Sequence, residues 1–212
     1  GWACWKMYVG RPETDSARNF AMTQLGNGLQ STGQMEDAMN VYESQLTLMQ
    51  RASAPEEHML VVKGNLAMTY DALGRSEALG LRQDVFLGNL RLLGKENRET
   101  LREGNNYAAS LAELKRYGEV KSLLRKTLPV ARRVLGENDE TTLKARLVYA
   151  IALCKDTGAT LDDLREAVTT LEEEEVIARL VFGGEHPLTT GIEHELRNAR
   201  AALRARETPS AS

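Results

Sequence analysis

The chain has 212 residues, of which 42% are hydrophobic and 27% are charged, proportions that are ordinary for a folded globular protein. Lys and Arg number 27 against 30 Asp and Glu, so the net charge of −3 disfavours a dedicated nucleic-acid-binding protein, which would be strongly basic. No apolar run approaches the ~18 residues that a transmembrane helix needs, so we expect no membrane span.

The first 15 residues precede the regular pattern of the chain and contain both tryptophans, Trp2 and Trp5. We expect this segment either to pack on the first helix or to be the end of a preceding region. The two cysteines, Cys4 and Cys154, are far apart in sequence, whereas a disulfide-stabilised secreted domain has several cysteines at short spacings. Two free thiols and a cytoplasmic location are therefore predicted.

From residue 16 onward, apolar residues recur at steps of three and four, as in Leu66, Tyr70 and Leu73, and this spacing predicts amphipathic helices. The pattern gives four helix–turn–helix pairs and a last helix. Pro129 falls inside the sixth helix, where a kink is expected. In chain order, the predicted helices cover residues 16–32, 34–51, 57–73, 76–92, 98–114, 117–135, 140–157, 161–181 and 188–206.

A linker motif recurs between the pairs and shows that they are repeats. It starts with Leu-Gly at residues 93–94 and ends with Thr-Leu at residues 100–101, and the same letters return 42 residues later. A third copy begins at Phe182, a further 47 residues on, so the fourth repeat contains five extra residues. A helical pair of this size cannot bury its own apolar face, so neighbouring pairs are expected to stack into one continuous core.

This linker, together with Asn65-Leu66-Ala67 and Leu73-Gly74-Arg75, resembles tetratricopeptide repeats (TPRs). The match is to the longer variant found in kinesin light chains and related scaffold proteins, and it covers residues 16–206. The resemblance implies an all-α protein, a right-handed α-solenoid of about four helix–turn–helix repeats plus a C-terminal capping helix. It also implies a non-catalytic protein-interaction role.

The predicted organisation has an N-terminal segment at 1–15, a solenoid at 16–207 and a disordered tail at 208–212. The repeats lie near residues 16–51, 57–92, 98–135 and 140–181, and the capping helix covers 188–206. That last helix is rich in Arg and Ala, and its polar face would shield the open end of the stack.

No motif indicates catalysis, a metal site or a cofactor. His194-Glu195 lacks the second histidine of a zinc-protease helix, and Gly183-Gly184 lacks the Lys-Ser/Thr ending of a phosphate loop. The acidic run at residues 172–175 would point around its helix rather than converge on a cation. We therefore predict that the chain is not an enzyme and binds neither metal nor cofactor.

The resemblance places a concave peptide-binding groove on the first helix of each pair, and the 3.6-residue period selects the residues that face it. Amide side chains both donate and accept, which suits an extended peptide backbone, and Arg and Lys would bind a carboxylate. Asn65 and Asn106 could instead serve packing between repeats or capping. The predicted groove residues are Gln24, Asn27, Asn65, Met68, Arg102, Asn105, Asn106, Lys144, Val148 and Ile151.

The distribution of charge favours an acidic partner. Residues 91–146 carry 13 Lys and Arg against 8 Asp and Glu, so an acidic protein or peptide segment would be steered to the middle of the chain. Five of these cations lie on a second helix, where a solvated surface is the ordinary explanation: Lys121, Arg125, Lys126, Arg132 and Arg133. The alternative function is that of a structural subunit in a larger multiprotein assembly.

Overall fold

In the computed structural model of the chain, residues 6–12 and 15–208 are described. They contain no β-strand and fold into nine helices of 16 residues or more, which confirms the predicted all-α helical-repeat fold. The helices are α1 (Ser16–Ser31), α2 (Met35–Arg51), α3 (Glu56–Ala72), α4 (Glu77–Leu93), α5 (Arg98–Glu113), α6 (Tyr117–Leu135), α7 (Glu140–Lys155), α8 (Leu161–Phe182) and α9 (Pro187–Glu207).

These helix bounds agree with the predicted ones to within two residues at every end. Pro129 lies inside α6, which continues to Leu135. The predictions for Trp2, Cys4, Trp5 and the last four residues of the tail concern positions outside the described residues.

The glycine of each linker is explained by its backbone conformation. Gly94, Gly136 and Gly183 directly follow α4, α6 and α8 and have φ values of 81°, 93° and 87°. Glycine adopts this region readily because it has no Cβ. The Leu-Gly pair, which is Phe182-Gly183 in the third copy, therefore marks the end of these three second helices.

The helix that follows each linker begins with a side-chain cap. Asn97 accepts a hydrogen bond from the amide of Glu99 at 2.8 Å, and Asp139 accepts one from Thr141 at 2.9 Å. His186 Nδ1 accepts from the amide of Leu188 at 3.2 Å, so this histidine has a structural role as the cap of α9.

The extra residues of the fourth repeat are divided between a turn and a helix. The turn between α7 and α8 has five residues, against three between α5 and α6, and α8 has 22 residues against 19 in α6. The longer turn ends in a capping box in which Thr160 and Asp163 satisfy each other's backbone amides.

Residue contacts divide the chain into two compact units, Gly1–Gly94 and Lys95–Ser212, which we call unit 1 and unit 2. In unit 1, α1 packs on α2, α2 on α3, and α3 on α4. Its core includes Leu25, Leu29, Tyr42, Met49 and Leu66. Gly26 is required where α1 crosses α2, because a Cβ at this position would lie 2.5 Å from the ring of Tyr42.

In unit 2, helices α5 to α9 also pack in chain order. In addition, α7 contacts α5, the first helix of the preceding pair, and the last helix α9. Large side chains that are almost fully buried form its core: Leu111, Leu124, Leu143, Leu153, Leu171, Ile192 and Leu196. Within the described part of the chain, no helix has the length and apolar character needed to cross a membrane.

Candidate peptide-binding faces

The predicted groove residues of unit 1 lie on one face, formed by its first helices α1 and α3. Gln24 and Asn65 are half-buried there, Asn27 is exposed, and 48% of Met68 is exposed. Asn65 Nδ2 donates to Asn27 Oδ1 at 3.4 Å, so the two predicted amides meet across neighbouring helices. We call this surface the first-helix face of unit 1.

These two asparagines also belong to a hydrogen-bond network that joins α1, α2 and α3. Tyr42 Oη donates to Asn27 Oδ1 at 2.6 Å, and burial raises the pKa of this tyrosine to about 12. Gln30 Nε2 donates to Thr69 Oγ1 at 2.7 Å and to the carbonyl of Asn65 at 3.2 Å. Both asparagines therefore contribute to packing between the helices of unit 1. Asn27 Nδ2 and Asn65 Oδ1 make no hydrogen bond to the described residues and remain accessible to a ligand.

A cleft of about 610 Å³ adjoins this face and contains no Asp, Glu, Lys or Arg in its lining. Phe20 and Val61 stand at its edge with 62% and 57% of their surface exposed, and Met49, Pro55 and His58 also line it. Phe20 and Val61 were not among the predicted groove residues. They occupy the repeat position of Arg102 and Lys144, so continuing the 41- or 42-residue offset upstream would have identified them.

The corresponding face of unit 2 is formed by α5 and α7, and its two exposed cations are each paired within their own helix. Arg102 Nη2 lies 2.6 Å from Glu99 Oε2 and 3.0 Å from Glu103 Oε1. Lys144 Nζ lies 2.7 Å from Glu140 Oε1. The pairs with Glu99 and Glu140 are exposed and contribute only about 0–1 kcal/mol, so an incoming carboxylate can exchange with these two glutamates, whereas Glu103 is buried. We call this surface the first-helix face of unit 2.

The remaining predicted residues of unit 2 differ in their accessibility. Asn106 is half-buried, and its Nδ2 donates to Glu103 Oε2 at 3.2 Å. Val148 and Ile151 are half-buried on α7. Asn105 is buried, with 7% of its surface exposed, and its Oδ1 has no hydrogen-bond partner. It therefore lies beneath this face rather than on it.

A second group of buried charges in unit 2 surrounds Arg146 on α7. Arg146 has 7% of its side chain exposed and contacts Glu137, Glu173 and Glu174 at 3.2, 2.8 and 3.2 Å. Glu174 is fully buried, and this burial raises its pKa well above the ordinary value despite the nearby arginine. The arrangement ties the linker after α6 to α8 and leaves no cation of this cluster without a partner.

Two properties of the described side chains concern metal binding and nucleophilic reactivity. Among these residues, no group of three or more His, Cys, Asp or Glu is placed to hold a metal ion. Cys154 is a free thiol, and burial raises its pKa to about 11, so it is protonated at neutral pH and is a poor nucleophile.

Solved structures similar to the chain share this helical-repeat architecture. Two crystal structures of "putative kinesin light chain nearly identical TPR-like repeats" from Podosopora anserina match with TM-scores of 0.73 and 0.72. The first is 23% identical and covers 90% of this chain and 88% of that one, and the second is 22% identical and covers 93% and 90%. The structure of BtubC (BKLC) from P. vanneervenii is 15% identical, has a TM-score of 0.55, and covers 100% and 91%.

No protein-family model matches the sequence, and the comparison with curated proteins gives no match. The likeness to the solved structures concerns the fold. The chain has the all-α, TPR-like repeat fold of proteins similar to kinesin light chains, as the linker motif predicted.

Proposed function

We propose that the chain is a non-catalytic protein-interaction module that binds a short, acidic peptide segment on its first-helix faces. The observation that carries this proposal is the pair formed by Asn27 and Asn65. Their side chains meet at the surface of unit 1 and keep one amide donor group and one carbonyl acceptor unused. A backbone in extended conformation presents the complementary carbonyl and amide groups.

The chemistry of the ligand is inferred from what surrounds these amides. In unit 1 the uncharged cleft beside Phe20 and Val61 suits an apolar side chain. In unit 2, Arg102 and Lys144 are exposed cations whose present partners are carboxylates of the same helix. A ligand carboxylate would replace these partners, and the arginine can bind it with two parallel hydrogen bonds. A cytoplasmic location is part of the proposal and agrees with the free thiol of Cys154.

The test is binding by a variant that carries both Arg102→Ala and Asn106→Ala. Peptides are selected from a randomised display library on the full chain, and their affinities are measured by fluorescence anisotropy. We expect the selected peptides to be rich in Asp and Glu and to bind the double variant at least about tenfold more weakly. Affinities are compared at a temperature where circular dichroism shows the variant to be fully helical, because both changes also remove partners of the buried Glu103.

Arg116→Ala is the matched control, because this exposed arginine also pairs with a glutamate three residues away on its helix, Glu119. It should leave peptide affinity unchanged. Equal affinities for the parent and the double variant would remove the unit 2 face from the proposal.

The alternative, a structural subunit of a larger assembly, is favoured by a different observation. Large apolar side chains are exposed on second helices, among them Leu87 on α4 and Leu180 on α8, with 50% and 81% of their surface accessible. Light scattering on the isolated chain separates the two functions. A chain that stays soluble on its own as a monomer or a defined dimer supports the peptide-binding module, and insolubility without a partner supports the structural subunit.

A further inference from the structure

A cleft of about 540 Å³ lies between the second helices of unit 2, α6 and α8, and is also lined by α7. It involves none of the residues of the first-helix faces. Its two walls differ in charge. Arg132 and Arg133 come from α6, with 53% and 60% of their side chains exposed, and Glu166 and Glu173 come from α8.

Most charged side chains of this cleft have a partner within the chain, Glu173 through the buried Arg146, but they remain partly exposed to a second molecule. Arg132 and Arg133 pair with Glu137 and Glu96 in exposed ion pairs, which are weak and exchangeable. Glu166 is exposed and forms no ion pair with the described residues. The cleft therefore presents a basic wall and an acidic wall to the solvent.

The equivalent cleft of unit 1 shows that this polarity is not a general property of the repeat. It lies between α2 and α4, has a volume of about 560 Å³, and its only charged lining residues are Glu43 and Glu77. No cation faces it, although both clefts occupy the same place between consecutive second helices. The separation of charge is specific to unit 2.

Exposed apolar side chains continue the acidic wall beyond the cleft. Leu180 follows Glu173 by seven residues, close to two helical turns, so both point to the same side of α8. Val176 lies between them, and 59% of Val176 and 81% of Leu180 are exposed. On α6, Val134 is 38% exposed near the end of the helix. These residues expose apolar surface beside the charged walls of the cleft.

We infer that this surface pairs with a second copy of the same chain, about a twofold axis that runs along the cleft. Rotation by 180° about such an axis places α6 of one copy opposite α8 of the other. The Arg132 and Arg133 wall then faces the Glu166 and Glu173 wall twice, and an isologous interface of this kind closes as a dimer.

The directions of the helices fit the same arrangement. Helices α6 and α8 run the same way, because α7 joins them through short turns at both ends. The rotation preserves this direction, so Leu180 of one copy approaches the end of α6 that carries Val134 in the other. A twofold axis across the cleft would instead oppose like charges, which is destabilising.

The test is sedimentation velocity of the full chain from about 1 μM to about 1 mM, with variants of both walls. We expect a concentration-dependent dimer that weakens with added salt, and a dissociation constant at least about tenfold higher for Leu180→Glu, Arg133→Glu or Glu166→Arg. The double variant Arg133→Glu with Glu166→Arg restores complementary walls and should recover most of the association.

Arg91→Glu is the matched control, because Arg91 is the repeat equivalent of Arg133 in unit 1 and also pairs with a distant glutamate, Glu56. It should leave the dimer unchanged. A monomer across the whole range, or a dimer that Leu180→Glu leaves intact, would overturn the inference. Peptide binding on the first-helix faces is measured separately, so either proposal can fail without the other.

Discussion

The two units share one repeat but handle their buried polar groups differently. Unit 1 buries the neutral side chains Gln45 and Thr69, which are joined to neighbouring helices by hydrogen bonds. Unit 2 buries the charged side chains Glu103, Arg146 and Glu174. Neutral groups cost little to bury when they are hydrogen-bonded, whereas a buried charge depends on its partner. Stability in unit 2 should therefore be more sensitive to single charged residues and to pH.

Removing the central cation of unit 2 should have the largest effect. Arg146→Met removes the buried cation that contacts Glu137, Glu173 and Glu174, and we expect it to reduce the free energy of unfolding by about 3 kcal/mol or more in urea titrations followed by circular dichroism. The control is Lys63→Met at the equivalent position of unit 1, where an exposed pair with Asp84 predicts a loss of about 1 kcal/mol or less. Equal losses would contradict the contrast between the units.

A steric change tests the uncharged core of unit 1. Gly26→Ala places a Cβ 2.5 Å from the Tyr42 ring, and this ring also donates to Asn27. We expect the free energy of unfolding to fall by about 1–3 kcal/mol, because the ring must move. Gly64→Ala, a helical position with no atom near its Cβ, should instead raise it by about 0.5–1 kcal/mol. Equal destabilisation by both variants would contradict the explanation, because only the Gly26 variant brings a Cβ against the ring of Tyr42.

The smallest effect sharpens the comparison through pH. The folded-state pKa of Glu174 is raised above its ordinary value of 4.5, so the carboxyl is neutral in both states at lower pH and contributes nothing there. As pH rises past that value, the unfolded chain ionises while the folded protein resists, and stability is lost. Glu174→Gln should therefore match the parent near pH 4 and exceed it on the order of 1 kcal/mol at pH 7. Glu172→Gln, an exposed neighbour, should show no such divergence with pH.

Much of this fold could be predicted from local patterns. The apolar spacing predicted each of the nine helices from α1 to α9. The linker motif predicted where α4, α6 and α8 end, because a positive φ and a side-chain cap are local requirements. The accessibility of Asn105 could not be predicted in this way. Its position one residue from Asn106 gave no indication that one side chain is buried and the other partly accessible. The network that joins Asn27, Tyr42 and Gln30 involves three helices, and its pairing depends on how closely α1 and α2 approach at Gly26.

The second helix of the last pair, α8, is longer than α6, and this changes the position and direction at which the chain leaves the pair. Relative to α6, the three additional residues move the end of α8 by about 4.5 Å along the helix axis and rotate it by about 300° around that axis. The linker to α9 therefore starts from a different side of α8. A further 42-residue repeat inserted between α6 and α7 would begin at the position and rotation set by α6. One placed after α8 would begin at the shifted position and rotation that the longer helix sets. An engineer who wishes to lengthen this protein should therefore add repeats upstream of α7 and retain α8 and α9 as the end piece.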